Sequence, residues 1–252
     1  MDDAEGELGQ LAIVFNETLA RLERSFTELR RFTADASHEL RTPLTAIRSV
    51  GEVGLRTRRD EAAYREINGS MLEETDRLAQ LVDSLLLLCR ADGGPPALHL
   101  APVDLGRLAQ EAAAKLEVLA EEKHQILTTE ALGPVAVDAD RVVLHQALMN
   151  LLDNAIKHSP GGAHVRVVVR ERAETPVVEV IDTGPGIAPE HREAIFRRFY
   201  RIDPARSREA GDAGLGLCIA RWAVEVHGGE IELETEAGQG STFRIVLPRR
   251  GC

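Results

Sequence analysis

Disulfides have little to build on in this chain. Its three cysteines, Cys89, Cys218 and Cys252, are far apart, odd in number and form no C-x-x-C pair. They read as reduced, cytosolic thiols outside any disulfide framework. Aromatic residues are scarce as well, at 4%, which suits aliphatic helix packing better than an all-β sandwich. No apolar run reaches the ~18 residues that a membrane span needs, and no signal peptide is recognisable, so the chain as it stands is expected to be soluble. Nor is there an excess of positive charge. The formal net charge is −11, whereas nucleic-acid-binding proteins usually present a basic surface. Nucleic acid is therefore not the expected partner, and the acidity is read as serving solubility. The eight histidines show no metal-ligand spacing, and the chain has no internal repeat.

A length of 252 residues allows one or two domains, each with a core. The first part is helical in pattern. Leu8, Leu11, Phe15, Leu19, Leu22, Phe26 and Leu29 recur at near-heptad steps. The stripe continues through Phe32, Ala36, Leu40, Leu44 and Ile47, predicting a helix to about Leu55, with Gly51 and Gly54 weakening its end. His38 sits two residues from both Ala36 and Leu40, which at ~100° per residue turns it to the water-facing side. Glu39 adjoins it and Thr42 lies one turn on. Pro43 cannot donate to the carbonyl of Glu39, so the helix is expected to bend or loosen there. The stretch 56–60 reads as a turn with Asp60 as N-cap of a second helix. That helix carries Ile67, Met71, Leu78, Leu81, Leu85 and Leu88, with one layer broken at Glu74 and Thr75. Two such helices make an antiparallel hairpin. A hairpin cannot bury both stripes alone, so either two copies pair into a four-helix bundle, the preferred reading, or the stripes pack on the rest of the same chain.

Gly93-Gly94-Pro95-Pro96 is the clearest break and suits a hinge. Beyond it, strand-like runs at 134–137, 163–170, 177–181, 229–234 and 241–247 alternate with helical patterns at 105–120, 139–158 and 215–227. That texture predicts an α/β sandwich, one sheet covered by helices on one face. Four stretches in it bear on chemistry. Asn150, Asn154 and Lys157 fall at i, i+4 and i+7, on one face of a helix whose other side is Leu148, Leu151, Leu152 and Ala155. Carboxamide oxygens suit Mg²⁺ and a lysine suits phosphate, although an ordinary polar face would look the same. Asp182-Thr183-Gly184-Pro185-Gly186-Ile187 follows a strand; a carboxylate there can accept from an exocyclic amine, yet the string also describes a turn. Gly211-Asp212-Ala213-Gly214-Leu215-Gly216-Leu217 opens a helix, where free N–H groups attract phosphate. Between them, Ile195 to Arg201 and a polar segment to Glu209 read as a lid hinged on Phe196 and Phe199.

Taken singly each motif is weak; their order is specific. It resembles the ATP-binding domain of the histidine-kinase, gyrase and heat-shock-chaperone ATPase superfamily. With His38-Glu39-Leu40-Arg41-Thr42-Pro43-Leu44 upstream, the resemblance narrows to bacterial sensor histidine kinases and covers nearly the whole chain. The stretch from Gly6 to Leu11, with Phe15, Asn16 and 19–23, also resembles the last helix of a HAMP signalling module. The implied organisation is a HAMP-like helix (1–30), a dimerisation and phosphoacceptor hairpin (31–92), a hinge (93–96) and an α/β sandwich ATP-binding domain (97–252). The implied roles are His38 as phosphoacceptor, Glu39 as base, and Thr42 as the residue that positions water in the reverse phosphatase reaction. Asn154 is implied to bind Mg²⁺, with Asn150 and Lys157 toward the phosphates of ATP. Asp182 would contact adenine in a pocket shaped by Gly184 and Gly186; Phe196, Phe199 and Arg201 would belong to the lid, Arg201 reaching the γ-phosphate; Gly214, Leu215 and Gly216 would cradle phosphates. The implied partners are a second copy of the chain and a response regulator, and the implied setting is the cytoplasmic portion of an inner-membrane receptor. One departure stands out. Relatives commonly have two glycines where this chain has Gly211-Asp212, and a carboxylate there is expected to add negative charge beside the phosphates. The hydrolytic members of the superfamily place a glutamate where this chain has Asn150, which cannot act as a base.

Overall fold

Apolar steps of three and four residues give two long helices, α1 (Asp2–Arg56) and α2 (Glu61–Asp92), in a computed structural model that describes residues 2–56, 60–92, 97–203 and 212–249. α1 runs on through Pro43, so the expected loosening there does not end the helix. Asp60 caps α2 as expected, accepting the N–H of Ala63 at 2.9 Å. The turn at 57–59, the Gly93–Pro96 stretch, the polar segment 204–210, Gly211 and Cys252 lie outside the described residues. No helix among the described residues is long and apolar enough to cross a membrane.

The chain divides into two compact units, Met1–Leu81 and Val82–Cys252. In the first, α1 packs on the start of α2. Gly51 and Gly54 belong to this contact rather than marking a frayed end. A Cβ on Gly54 would lie 3.3 Å from the side chain of Ile67, so the missing side chain lets the helices approach closely. Pro43 and Leu81 are buried, while Leu29, Leu44, Val53 and Leu72 stay exposed. A single hairpin thus leaves much of its apolar stripe uncovered.

The second unit runs β1 (Ala101–Asp104), α3 (Leu105–Glu122), β2 (Ile126–Ala131), β3 (Ala136–Ala139), α4 (Arg141–His158), β4 (His164–Arg172) and β5 (Thr175–Asp182). Two single 3-10 turns follow, Pro189–His191 and Ala194–Phe196, then α5 (Gly216–Glu225), β6 (Glu230–Glu236) and β7 (Gly240–Val246). The strands form a five-stranded sheet in the order β2-β4-β5-β7-β6, with β2 parallel to β4 and the other pairs antiparallel. β1 and β3 form a separate antiparallel ribbon, so the expected single sheet is in fact two. Strand alternation sends Val165, Val167 and Val169 of β4, Val178 and Val180 of β5, and Phe243 and Ile245 of β7 into one core with α3, α4 and α5. Glu179 takes the opposite face of β5, between Arg170 at 2.9 Å and Arg244 at 2.7 Å. Burial alone would raise its carboxyl, but the two guanidinium groups outweigh this and hold it low. Asp182 is in phase with Val178 and Val180, so the sheet delivers its carboxylate to the helix-covered side.

Candidate functional site

The site is built on α4, which is fastened at both ends. At its start Asp140 accepts the N–H groups of Val142 at 3.0 Å and Val143 at 3.3 Å, and also that of His99 at 3.1 Å. The N–H of Asp140 donates to Nε2 of buried His227 at 2.9 Å, and the Nδ1 of His227 lies 2.6 Å from the carbonyl of Ala223 in α5. That pair of contacts assigns the proton to Nδ1. At the far end, Nζ of Lys123 donates to the carbonyls of Ile156 at 3.0 Å and Lys157 at 2.9 Å. Nε2 of Gln125 donates to Ile156 at 3.1 Å, Ser159 at 2.9 Å and Pro160 at 3.2 Å. A cation and an amide thus satisfy carbonyls that a helix end leaves open.

Beside this helix lies a cavity of about 300 Å³. It is lined by Asn154, Lys157, Asp182, Gly186, Arg201, Gly214 and Gly216, all singled out in the sequence. Asp182 is buried at the end of β5, with its Oδ1 accepting the N–H of Gly184 at 2.8 Å. Burial pushes its carboxyl up, against the N–H groups of Gly184 and Ser241 and the charge of His158, which act the other way. Gly186 has φ +66°, and any Cβ there would collide with the carbonyl of Glu236; only glycine lets this loop lie against the β6–β7 hairpin. Gly214, at φ +68°, accepts the N–H of Phe199 at 2.8 Å, and a Cβ on it would stand 2.9 Å from the backbone of Phe199 and Tyr200. Phe199 itself is left-handed, at φ 58°, a strained state for a side chain of its size.

Five of the expected site residues stand off the wall. Phe196 packs edge-on against Phe243, with centroids 6.3 Å apart, and lies under the guanidinium of Arg221; it anchors its turn to the core. Leu215 is buried, and Gly184 serves Asp182. Phe199 acts through its backbone. Asn150 lies next to Gly216, its Oδ1 accepting from Gln146 at 3.2 Å and its Nδ2 buried without a hydrogen-bond partner among the described residues. Several lining residues lie in or beside the stretches noted in the sequence without a site role expected of them. Ile187, Ile195, Tyr200 and Leu217 give the cavity apolar wall, and the hydroxyl of Tyr200 meets Nδ1 of His191 at 2.7 Å. Asp153 pairs with Lys157 at 2.8 Å, and Asp212 with Nε2 of His158 at 3.5 Å.

In the first unit His38 and Thr42 are exposed on α1, as the pattern predicts, and Oγ1 of Thr42 lies 3.3 Å from the carbonyl of His38. Glu39 is half-buried. Among the described residues no cluster of three or more His, Cys, Asp or Glu could hold a metal.

Comparison with known proteins agrees with this geometry. Residues 28–94 match the His Kinase A (phospho-acceptor) domain, and residues 139–251 the Histidine kinase-, DNA gyrase B-, and HSP90-like ATPase family. The chain is 36% identical over 246 residues to Sensor protein IrlS of Burkholderia pseudomallei, covering 98% of this chain and 53% of that protein. It is 35% identical over 239 residues to the Sensor-like histidine kinase SenX3 of Mycolicibacterium smegmatis, covering 95% and 62%. Among solved structures, full-length ShkA in complex with AMPPNP superposes with a TM-score of 0.66 at 29% identity, over 84% of this chain and 44% of ShkA. The chain therefore spans between half and two thirds of the curated relatives compared. A phospho-acceptor domain joined to an ATPase-type nucleotide domain, with kinase relatives along almost all of its length, gives this chain the two-domain region of the sensor histidine kinases.

Proposed function

We propose that the chain is the catalytic core of a two-component receptor: it binds ATP in the cavity beside α4, transfers the γ-phosphoryl group to His38, and passes it on to an aspartate of a response regulator. The observation that carries this reading is convergence. Residues from α4, the end of β5, the segment after the second 3-10 turn and the start of α5 meet on one cavity, and they are the residues the family resemblance assigns to nucleotide. Asp182 would accept the exocyclic amine of adenine, between the apolar side chains of Ile187, Ile195 and Leu217. Lys157, Arg201 and the N–H groups at the start of α5 would hold the phosphates.

Mg²⁺ fits the donors present. Asn154 faces the cavity and brings a carboxamide oxygen; the buried Nδ2 of Asn150, without a partner among the described residues, is a donor and suits a phosphate oxygen, not the ion. One carboxamide oxygen, without a full protein cage, is the donor set of an ion that keeps waters and shares phosphate oxygens. Bound there, Mg²⁺ would neutralise charge on the transferring group. The protein's share is positioning. Phosphoryl transfer needs an in-line nucleophile more than covalent help, and the exposed imidazole of His38 would supply it. Glu39 would fix the tautomer and take the proton, and Thr42 would orient water for dephosphorylation of the regulator. The uncovered apolar stripe of the hairpin supports a homodimer through a four-helix bundle, and the helical N-terminal stripe supports attachment, through a HAMP-like module, to a membrane-borne sensor.

Incubation with γ-labelled ATP and Mg²⁺, comparing wild type with His38→Gln, tests the reading. Acid-labile, base-stable label that vanishes in the variant is the expected result. Nucleotide binding without any such label on His38 would refute the kinase reading.

A further inference from the structure

The residue that the sequence marks as a departure is not a loose charge in the cavity. Asp212 lines it and is engaged on both oxygens. Oδ1 accepts the N–H of Gly214 at 2.9 Å, and Oδ2 lies 3.5 Å from Nε2 of His158 at the end of α4. The N–H it takes is one of those the resemblance assigns to phosphate. Lys157, at the same helix end, is also answered from within, meeting Asp153 at 2.8 Å. Without nucleotide, then, two of the chain's own carboxylates satisfy the groups that a phosphate would use. Burial works to raise the Asp212 carboxyl, but the His158 hydrogen bond, the Gly214 N–H and the charges of His158 and Lys157 outweigh it and keep it low; the group is an anion at neutral pH.

We infer that Asp212 is a built-in anion seated among the phosphate-binding groups, which a nucleotide must displace or crowd, so that it lowers affinity for the phosphates while leaving the recognition of the base untouched. The inference rests on the nucleotide reading of this cavity. Its physical content is competition. A carboxylate that holds Gly214 and His158 keeps the start of α5 in its binding shape, and it repels the incoming triphosphate at close range. Affinity set this way falls on ATP and ADP and spares adenosine, which has no phosphate.

Asp212→Asn isolates the charge, because the amide oxygen can still accept from Gly214. Calorimetric titrations of the folded chain with ATP, ADP and adenosine, all with Mg²⁺, would compare wild type and variant. We expect ATP to bind about three- to tenfold more tightly to Asp212→Asn, ADP to gain less, and adenosine to change by less than about twofold. Asp212→Ser, which also removes the charge, covers the case in which the asparagine variant melts early. Unchanged or weaker ATP binding in the folded variants would overturn the inference and make Asp212 a residue that positions the loop. An equal gain for adenosine would overturn it too, since charge at the phosphates would not be the cause. Failure of the nucleotide reading shows separately, as wild type that binds none of the three ligands, and the inference falls with it.

Discussion

Two glycines separated by a single residue should respond in opposite ways to the same added methyl group. Gly214 is at φ +68°, and a Cβ would stand 2.9 Å from the backbone of Phe199 and Tyr200. Alanine there carries the left-handed cost of about 1–2 kcal/mol and must also push apart two backbone segments, for a total of about 2–4 kcal/mol. In a chain of this size that lowers the melting temperature by roughly 5–15 °C. Gly216 opens α5 outside the left-handed region, and the nearest atoms to its would-be Cβ are those of Asn150, at 3.8–3.9 Å. That is ordinary contact, so the protein itself has room for a side chain, and alanine should gain up to about 0.5–1 kcal/mol of helix stability. Yet Gly216 lines the cavity. A methyl group where a phosphate must come close costs about 1–3 kcal/mol, or roughly a five- to hundredfold rise in Kd for ATP. Thermal melts followed by circular dichroism, paired with calorimetric titration of ATP, read both quantities. If Gly216→Ala melts as early as Gly214→Ala, the glycine serves packing and not the ligand. If it keeps full ATP affinity, phosphate does not approach the start of α5, and the cavity has been read the wrong way round.

Other consequences can be measured as simply. Asp140→Ala removes the acceptor for three backbone N–H groups and should cost about 1–2 kcal/mol at pH 7. Its carboxyl is held below the ordinary value of 3.8, with burial opposing and the N–H groups of His99, Val143 and Val142 prevailing. The folded pKa is depressed, so this stability is present above about pH 3.8 and drains away as pH falls through the folded value; equal melting of wild type and variant at pH 7 would refute the role. Cys218 is buried, its Sγ 3.0 Å from the carbonyl of Leu215, and burial pushes its thiol up to about 12. At pH 8 about one thiol in ten thousand would be ionised, so iodoacetamide should label exposed Cys89 and leave Cys218 intact by mass spectrometry. Lys123→Met takes a donor from two carbonyls at the end of α4, of which that of Ile156 keeps Gln125; we expect a loss of about 1–3 kcal/mol and weaker ATP binding even well below the melting temperature, with Lys123→Arg restoring both. Normal ATP affinity in the methionine variant would confine Lys123 to a structural role.

The elements that the sequence reveals are those with a strong period. The stripes of α1 and α2, the cap at Asp60, and the valine alternation of β4 and β5 all read directly, because burial on one face forces the pattern. β1 and β2 do not. β1 is four residues long and contains Pro102, while β2 is an edge strand with every position at least partly exposed. β1 buries Val103 alone and β2 buries no residue fully, too little to impose alternation. Gly51 and Gly54 were legible as glycines but not as a helix contact, since nothing local says which neighbour comes close.

The site divides along the same line. Its motif residues were visible because each carries a chemical or conformational demand: a carboxylate at a strand end, amides at helical spacing, glycines before a helix. The apolar wall was not, because Ile187, Ile195, Tyr200 and Leu217, although they stand in those same stretches, meet on one cavity only after folding. The pairing of Asp212 with His158 was hidden for the same reason, and it adds a second side to the one departure seen in the sequence. Read locally, an aspartate for a glycine is a charge added beside phosphates. Seen across α4 and α5 it is a charge already answered, by an N–H on one side and an imidazole on the other. A carboxylate with partners in the free protein need not damage the site that holds it, because it keeps the phosphate-binding groups in place until a better anion arrives. Its negative charge then acts on the affinity for phosphate, without costing the free protein its fold.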